Sequence, residues 1–269
     1  MNTNSIDFTG LVVACNEANR LVACLESLAF CSEIIVVDLE SRDESPEIAA
    51  RHGAKVIKHP RVPIVEKVRE KALSYAGNRW VILLDPDEVF PTDRINEIKQ
   101  IILDFPDVAL IKVPMRNYFR GKPLFTTPWG MRNTANRIVD KDRVVIVPNV
   151  HNPISVRDGS REITMDYRGE ESVIKHYWID SYSQMFEKHY RYLKHEGESR
   201  YKRGERFSWM EWYRGSLRAS KRSLIKCNGI RGGVTGILLS IFYTLYISIS
   251  LLSLRAYEKK IKKLKNIPG

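Results

Sequence analysis

Between Phe8 and Asp85 the chain alternates two hydrophobic periods, and this alternation restricts its fold more than any other feature. FTGLVVAC is a near-continuous apolar run of strand length, ANRLVACLESLAF carries Leu21, Val22, Leu25 and Leu28 at helical spacing, and EIIVVD is a second strand-like run. ESPEIAARHG reads as a helix with Ser45 as N-cap, Pro46 at the first helical position and Gly53 as the stop. AKVIKH, VEKVREKALSYA and RWVILLD then repeat strand, helix, strand. Strands that are apolar throughout are buried on both faces, so the pattern predicts an α/β fold on a mainly parallel sheet covered by helices. Ligands of such sheets bind at the carboxyl ends of the strands.

The polar residues fall at those ends. Asn16 and Glu17 follow the first strand, Asp38 closes the second, and Asp85, Asp87 and Glu88 close the fourth in ILLDPDEVF. Grouped carboxylates repel one another and lose hydration, so something must compensate them. A hard divalent cation, magnesium or manganese, is the first candidate, because it takes carboxylate oxygens and leaves positions for substrate phosphates. The Asp85-Pro86-Asp87 sequence is a DxD motif, and a metal held there would assist departure of a phosphate leaving group.

After Pro91 a helix (TDRINEIKQIILDF) precedes a strand (VALIKVPM), and residues 116 to 168 read as short strands and turns with Tyr118, Phe119, Phe125 and Trp129. Residues 179 to 222 turn helical, basic and aromatic. GVTGILLSIFYTLYISISLLSL, residues 233 to 254, has no charge over 22 positions, enough for a helix to span a hydrocarbon core of roughly 30 Å. Both flanks are basic, with Lys221, Arg222, Lys226 and Arg231 before and Arg255, Lys259, Lys260, Lys262, Lys263 and Lys265 after. The positive-inside rule therefore sets no orientation, and a re-entrant or interface-lying helix fits the flanks better than a single pass. Gly236, Ser240, Thr244 and Ser248 form a stripe of small residues for close helix contact. The net charge of +11 is concentrated after Arg200, beside this apolar run and not among stacking aromatics on a sheet. That placement points to an anionic membrane surface and away from nucleic acid. Cys15, Cys24, Cys31 and Cys227 form no CxxC, which fits a reduced cytosolic setting, and the N-terminus shows no signal-peptide pattern.

Taken in order, LVVACNEANRLVACLESLAFCSEIIVVDLESRDESPEIAARHGAKV and WVILLDPDEVFP resemble the family 2 glycosyltransferases of the GT-A fold, nearest the bacterial subgroup that builds lipopolysaccharide core and other envelope glycans. NYFRGKPL, RIV at 137 to 139, VH at 150 to 151 and IKHY at 174 to 177 continue the likeness more loosely. The resemblance implies a metal-dependent inverting transfer from a nucleotide-diphosphate sugar to a glycolipid or polyprenyl-linked acceptor, at the cytoplasmic face of the inner membrane. It implies that Asn16, Glu17, Asp38, Asp43, Arg69 and Asp85 bind the nucleotide sugar, and that Asp85 and Asp87 hold magnesium or manganese. His151 matches a histidine facing the metal or acceptor, and Trp129, Arg132 and Arg137 are further acceptor-side candidates.

Two departures stand out. Leu39, Glu40 and Arg42 replace the small residues expected after Asp38 and would narrow the nucleotide pocket. Asn152 replaces an acid after the VH and, as an amide, cannot be the general base. The base stays open among Asp140, Asp142, His151, Asp166, Glu170 and Glu171.

The expected organisation is a GT-A domain over residues 1 to 180 and a basic helical, membrane-associated tail over 181 to 269. Within the domain, residues 1 to 110 form the nucleotide-sugar half and 111 to 180 the acceptor half. Two rivals are a non-catalytic nucleotide-sugar-binding or scaffold protein, and an aspartate-nucleophile phosphatase reading of DPDEV with Asp85 as nucleophile. The latter normally places its motif after the first strand, and here three strand-helix units precede it.

Overall fold

A computed structural model describes residues 6–62, 66–131, 133–146 and 154–265. The chain divides into two compact units, Met1–Arg116 with Arg132–Tyr177, and Asn117–Met131 with Trp178–Gly269.

The first unit opens with the expected alternation: β1 (Phe8–Ala14), α1 (Ala18–Ser27), β2 (Glu33–Asp38), α2 (Ser45–Arg51), β3 (Lys55–Lys58), α3 (Glu66–Leu73) and β4 (Trp80–Leu84). The four strands are parallel in the order β3-β2-β1-β4. Successive side chains of a strand point to opposite faces. Val12, Val36 and Ile82 accordingly join Leu21 and Leu25 of α1 in one core, whereas Leu11, Ile35 and Leu83 join Val68 of α3 in another. Burial on both faces is why these strands are apolar throughout.

Beyond β4 the sheet changes character. Along the chain follow β5 (Glu88–Val89), α4 (Ile95–Asp104), β6 (Val108–Phe119), β7 (Lys122–Pro123), α5 (Thr127–Gly130), β8 (Asn133–Asp140), β9 (Val144–Ile146), β10 (Ile154–Val156), β11 (Arg161–Thr164) and β12 (Ile174–Ile179), of which β7 and α5 belong to the second unit. β8 runs antiparallel to both β4 and β6, and β12 antiparallel to β5. The parallel half carries the α/β, GT-A-type arrangement, and the second half, antiparallel at β8 and β12 but with β11 parallel to β6, completes a mixed sheet, while β9 and β10 pair in a separate two-stranded sheet. One local expectation is corrected: α2 begins at Ser45 itself and has no side-chain cap. The Ser45 hydroxyl instead donates to Asp43 and accepts the Glu17 N–H, so it ties loops together.

The second unit contains α6 (Tyr182–Lys202), α7 (Trp209–Lys221) and α8 (Gly233–Lys265). Ser181 and Ser208 cap α6 and α7 by accepting the Gln184 and Glu211 N–H groups. α8 packs on both helices. A Cβ on Gly197 of α6 would lie 2.4 Å from the Ser253 carbonyl oxygen, so only glycine permits that approach. The stripe of small residues is used within the unit: a Cβ on Gly236 would meet the Gly229 carbonyl oxygen at 2.3 Å, and Ser240 is fully buried. Residues 117–131 belong here because Phe119, Leu124 and Trp129 pack with Trp178, Met185, Leu239 and Phe242.

The helix over Ile230–Lys263 has a mean hydropathy of 2.1 and is long and apolar enough to cross a membrane, yet only 28% of its most apolar stretch is buried. Val234, Ile237, Leu238, Ile241, Leu245 and Ile249 are exposed along one face.

Candidate functional site

The register of the parallel strands sets Ala14 beside Asp38 and Val12 beside Leu84. The turns after β1, β2 and β4 therefore share one rim of the sheet, the carboxyl end where such sheets bind ligands. Asn16 holds a left-handed φ of +57°, its N–H donates to Ser41 Oγ at 2.9 Å, and its Oδ1 accepts the Arg42 N–H at 2.7 Å. Asp43 accepts the Ala18 N–H at 3.1 Å as well as the Ser45 N–H and hydroxyl. Desolvation raises the Asp43 carboxyl, but these hydrogen bonds together outweigh it and hold the group below its usual range. Asn16, Glu17 and Asp43 thus join the first two turns into one loop structure.

Asp38 is buried at the end of β2 and accepts the Ser41 N–H at 3.3 Å. Leu39 does not narrow the pocket as expected: it is 3% exposed, packs in the core with Val68, and donates its N–H to the Ala14 carbonyl. Glu40 and Arg42 are exposed.

After β4 the chain's own cations answer the charge of ILLDPDEVF. Asp85 pairs with Arg69 of α3 through Oδ1 and with Arg137 of β8 through Oδ2 at 2.7 Å. Arg137 also grips fully buried Glu88, with Nε to Oε2 at 2.7 Å and Nη2 to Oε1 at 2.5 Å. Asp87 faces Arg20 Nη1 at 3.6 Å and His176 Nε2 at 3.3 Å. The pairing of His176 with Glu88 across β12 and β5 brings the imidazole there.

Desolvation alone would raise the Asp85 carboxyl, but Arg69 and Arg137, with a lesser contribution from His176, hold it well below the usual carboxylate range. Glu88 is raised by burial and by the neighbouring Asp85 charge, against the pull of Arg137. Burial, followed by the charges of Glu88, Asp85 and Asp87, pushes the Cys24 thiol up.

The donor chemistry bears on the metal. Both oxygens of Asp85, one of the expected metal pair, face guanidinium groups, whereas Asp87, the other, faces the His176 imidazole and, at a longer distance, Arg20. Among the described residues no group of three or more His, Cys, Asp or Glu is arranged to hold a metal alone. Two protein donors fit magnesium or manganese in sites where substrate phosphates complete the coordination.

Other expected residues lie elsewhere. Asp140 pairs in register with Trp80, at the opposite end of β4 from Asp85, where Arg79 grips it at 2.6 Å. Burial and full engagement there remove Asp140 from the rim. Glu170 is bonded to Arg116 and to the Tyr167 hydroxyl, beside a cavity of about 290 Å³ lined by Met115, Arg116, Asn133, Thr134, Asp166 and Tyr167. Trp129 packs against Trp178, His189, Phe242 and Tyr243 inside the second unit. Arg137, expected on the acceptor side, is central to the carboxylate cluster. Arg132, His151 and Asn152 lie outside the described residues. Arg20 is a site residue that no motif marks, although its place in the first turn of α1, directly after the rim turn, is a usable signal. His176 of IKHY reads from sequence as a neutral, hydrogen-bonded loop histidine, and the fold sets it against Asp87 instead.

Residues 11–151 match the model of the family described as glycosyl transferase family 2. An uncharacterized glycosyltransferase of Rickettsia felis is 34% identical over 94 residues, covering 35% of this chain and 33% of that protein. A TPR repeat-containing protein of Synechococcus elongatus is 32% identical over 99 residues, covering 36% and 24%. The matched part thus spans about a third or less of the length of these curated relatives. Among solved structures, Staphylococcus aureus TarS in complex with UDP-GlcNAc is 25% identical with a TM-score of 0.38, covering 42% of this chain and 35% of that one. Glucosyl-3-phosphoglycerate synthase of Mycobacterium tuberculosis, in complex with Mn2+, UDP and glucosyl-3-phosphoglycerate, is 18% identical with a TM-score of 0.35, covering 44% and 45%.

Proposed function

The chain belongs to glycosyl transferase family 2, and on that premise we propose that it is an inverting transferase moving a sugar from a nucleotide diphosphate to a lipid-linked envelope glycan at the cytoplasmic face of the inner membrane. The observation that carries this reading is the convergence of buried Asp38 with the Asp85, Asp87 and Glu88 cluster on one rim of the parallel sheet.

The joined turns at Asn16 and Asp43 shape the nucleoside side, and Asp38 supplies its fixed acceptor. Arg20, Arg69 and Arg137 bring three cations to the place a diphosphate would occupy. Their charges, held by carboxylates in the free protein, are preorganised for phosphate oxygens. Asp87 and His176 would hold magnesium or manganese, and that ion would neutralise charge on the departing diphosphate. The acceptor oxygen attacks the anomeric carbon opposite the leaving group, in one step without a covalent enzyme intermediate. Its proton passes to an acceptor-side base, and Asp166, which lines the cavity beside Glu170, is a candidate acid.

The exposed apolar face of α8, between basic flanks, supports a membrane-presented acceptor. Transfer of radiolabelled sugar to an envelope lipid extract, with Mn2+ or with chelator, tests the assignment. Metal-dependent product from the wild type and none from Asp87→Asn, with folding retained, is the expected result. Full activity of Asp87→Asn would remove the metal assignment.

A further inference from the structure

The second unit contains a cavity of about 540 Å³ where the β6–β7 hairpin meets the start of α8, lined by Phe119, Arg120, Lys122, Leu124, Phe125 and Arg231 together with small residues. Three cations and no carboxylate line it. The contrast with the Asp85 cluster is direct: there each carboxylate faces a guanidinium, whereas here like charges gather without an acid in the lining. The three cations are exposed, so solvent screens their mutual repulsion, and together they present positive charge to an anion from outside.

Local geometry keeps the space open. Arg120 and Gly121 turn the hairpin with left-handed φ of +53° and +71°. A Cβ on Gly232 would lie 2.6 Å from Thr126 Oγ1, so glycine lets the segment just before α8 lie close against the chain that follows β7. The cavity is amphipathic, with Phe119 and Leu124 buried in its wall and Phe125 half exposed. Just beyond it begins the exposed apolar face of α8, at Val234, Ile237, Leu238 and Ile241. Cations at the end of an apolar helix face sit at headgroup level when that face meets a bilayer.

We propose that this cavity binds the phosphate headgroup of an anionic membrane lipid, whose hydrocarbon chain lies along the exposed face of α8. The proposal rests on the membrane-surface part of the reading above and is independent of sugar transfer.

The test uses the full chain and phosphatidylcholine vesicles with or without phosphatidic acid, read by flotation. Arg120→Ala with Arg231→Ala is compared with Lys259→Ala with Lys260→Ala, which removes equal charge from exposed sites at the other end of α8. The cavity pair should weaken binding to phosphatidic acid vesicles by about thirtyfold and the control pair by less than about fivefold. Equal losses from both pairs would overturn the cavity in favour of diffuse attraction.

Thermal unfolding of the wild type supplies a second reading that needs no variant. Short-chain, water-soluble phosphatidic acid should raise Tm, whereas inorganic phosphate at the same concentration should not. Equal shifts would identify a free-phosphate site and overturn the lipid assignment. Failure of the wild type to float with any vesicle would remove the membrane reading and this proposal together, while a nucleotide-induced shift on the same sample would leave the donor site standing.

Discussion

Arg137 illustrates how much of the site depends on single side chains. It links half-buried Asp85 to fully buried Glu88, so Arg137→Met should leave a buried carboxylate without its partner. Loss of one member of a buried pair costs about 3–5 kcal/mol, so urea unfolding should show a destabilisation of that order. A change below about 1 kcal/mol would mean the cluster relaxes without strain. The acid side of the stability profile belongs to Asp85. Its folded pKa lies below the unfolded value, so its contribution is fully present above the unfolded pKa and is lost as pH falls through the folded one. Asp85→Asn should therefore flatten the fall in stability below about pH 4; an unchanged acid limb in a urea series would contradict the pairing. The strand-end placement of Asp38, Asp85 and Asp87 was legible in the sequence because each follows an apolar run. Arg20 and His176 were not read as partners of Asp87, since α1 and β12 approach it only through the folded sheet.

At the scale of elements, legibility followed hydrophobic pattern. β1, β2 and β4 were readable because two-sided burial leaves them apolar, and α8 because nothing charged interrupts it. β8 was harder: NTANRIVD mixes polar and apolar positions, since Arg137 reaches the site while Ile138 and Val139 enter the cores. The mixed second half of the sheet rests on such strands, whose partners no local signal names. The helices also yield a test. Gly197→Ala would gain helix propensity of about 1 kcal/mol. It would also press a methyl group onto the Ser253 carbonyl at 2.4 Å. Overpacking of this kind costs about 1–3 kcal/mol, so a lower Tm is expected. A higher Tm would mean α6 and α8 part without cost.

For the whole molecule, the central claims are a donor site on the rim of the first unit and a lipid-facing helix in the second. Deleting residues 233–269 is a poor test of the helix, because Leu239, Leu251 and Leu254 are buried and their loss would expose the unit's core. Ile237→Glu with Ile241→Glu changes exposed positions only and should release the protein from vesicles while preserving thermal stability. Continued flotation would refute lipid contact along that face. The donor site admits a more direct measurement: the shift in Tm of the full chain with a panel of nucleoside diphosphates and nucleotide sugars, with and without Mn2+, for wild type and Asp87→Asn. A ligand selective for the folded state raises its stability by mass action. The account predicts a manganese-dependent rise for one nucleotide diphosphate class, lost in Asp87→Asn; no rise across the panel in folded wild type, or an equal rise in the variant, would contradict it.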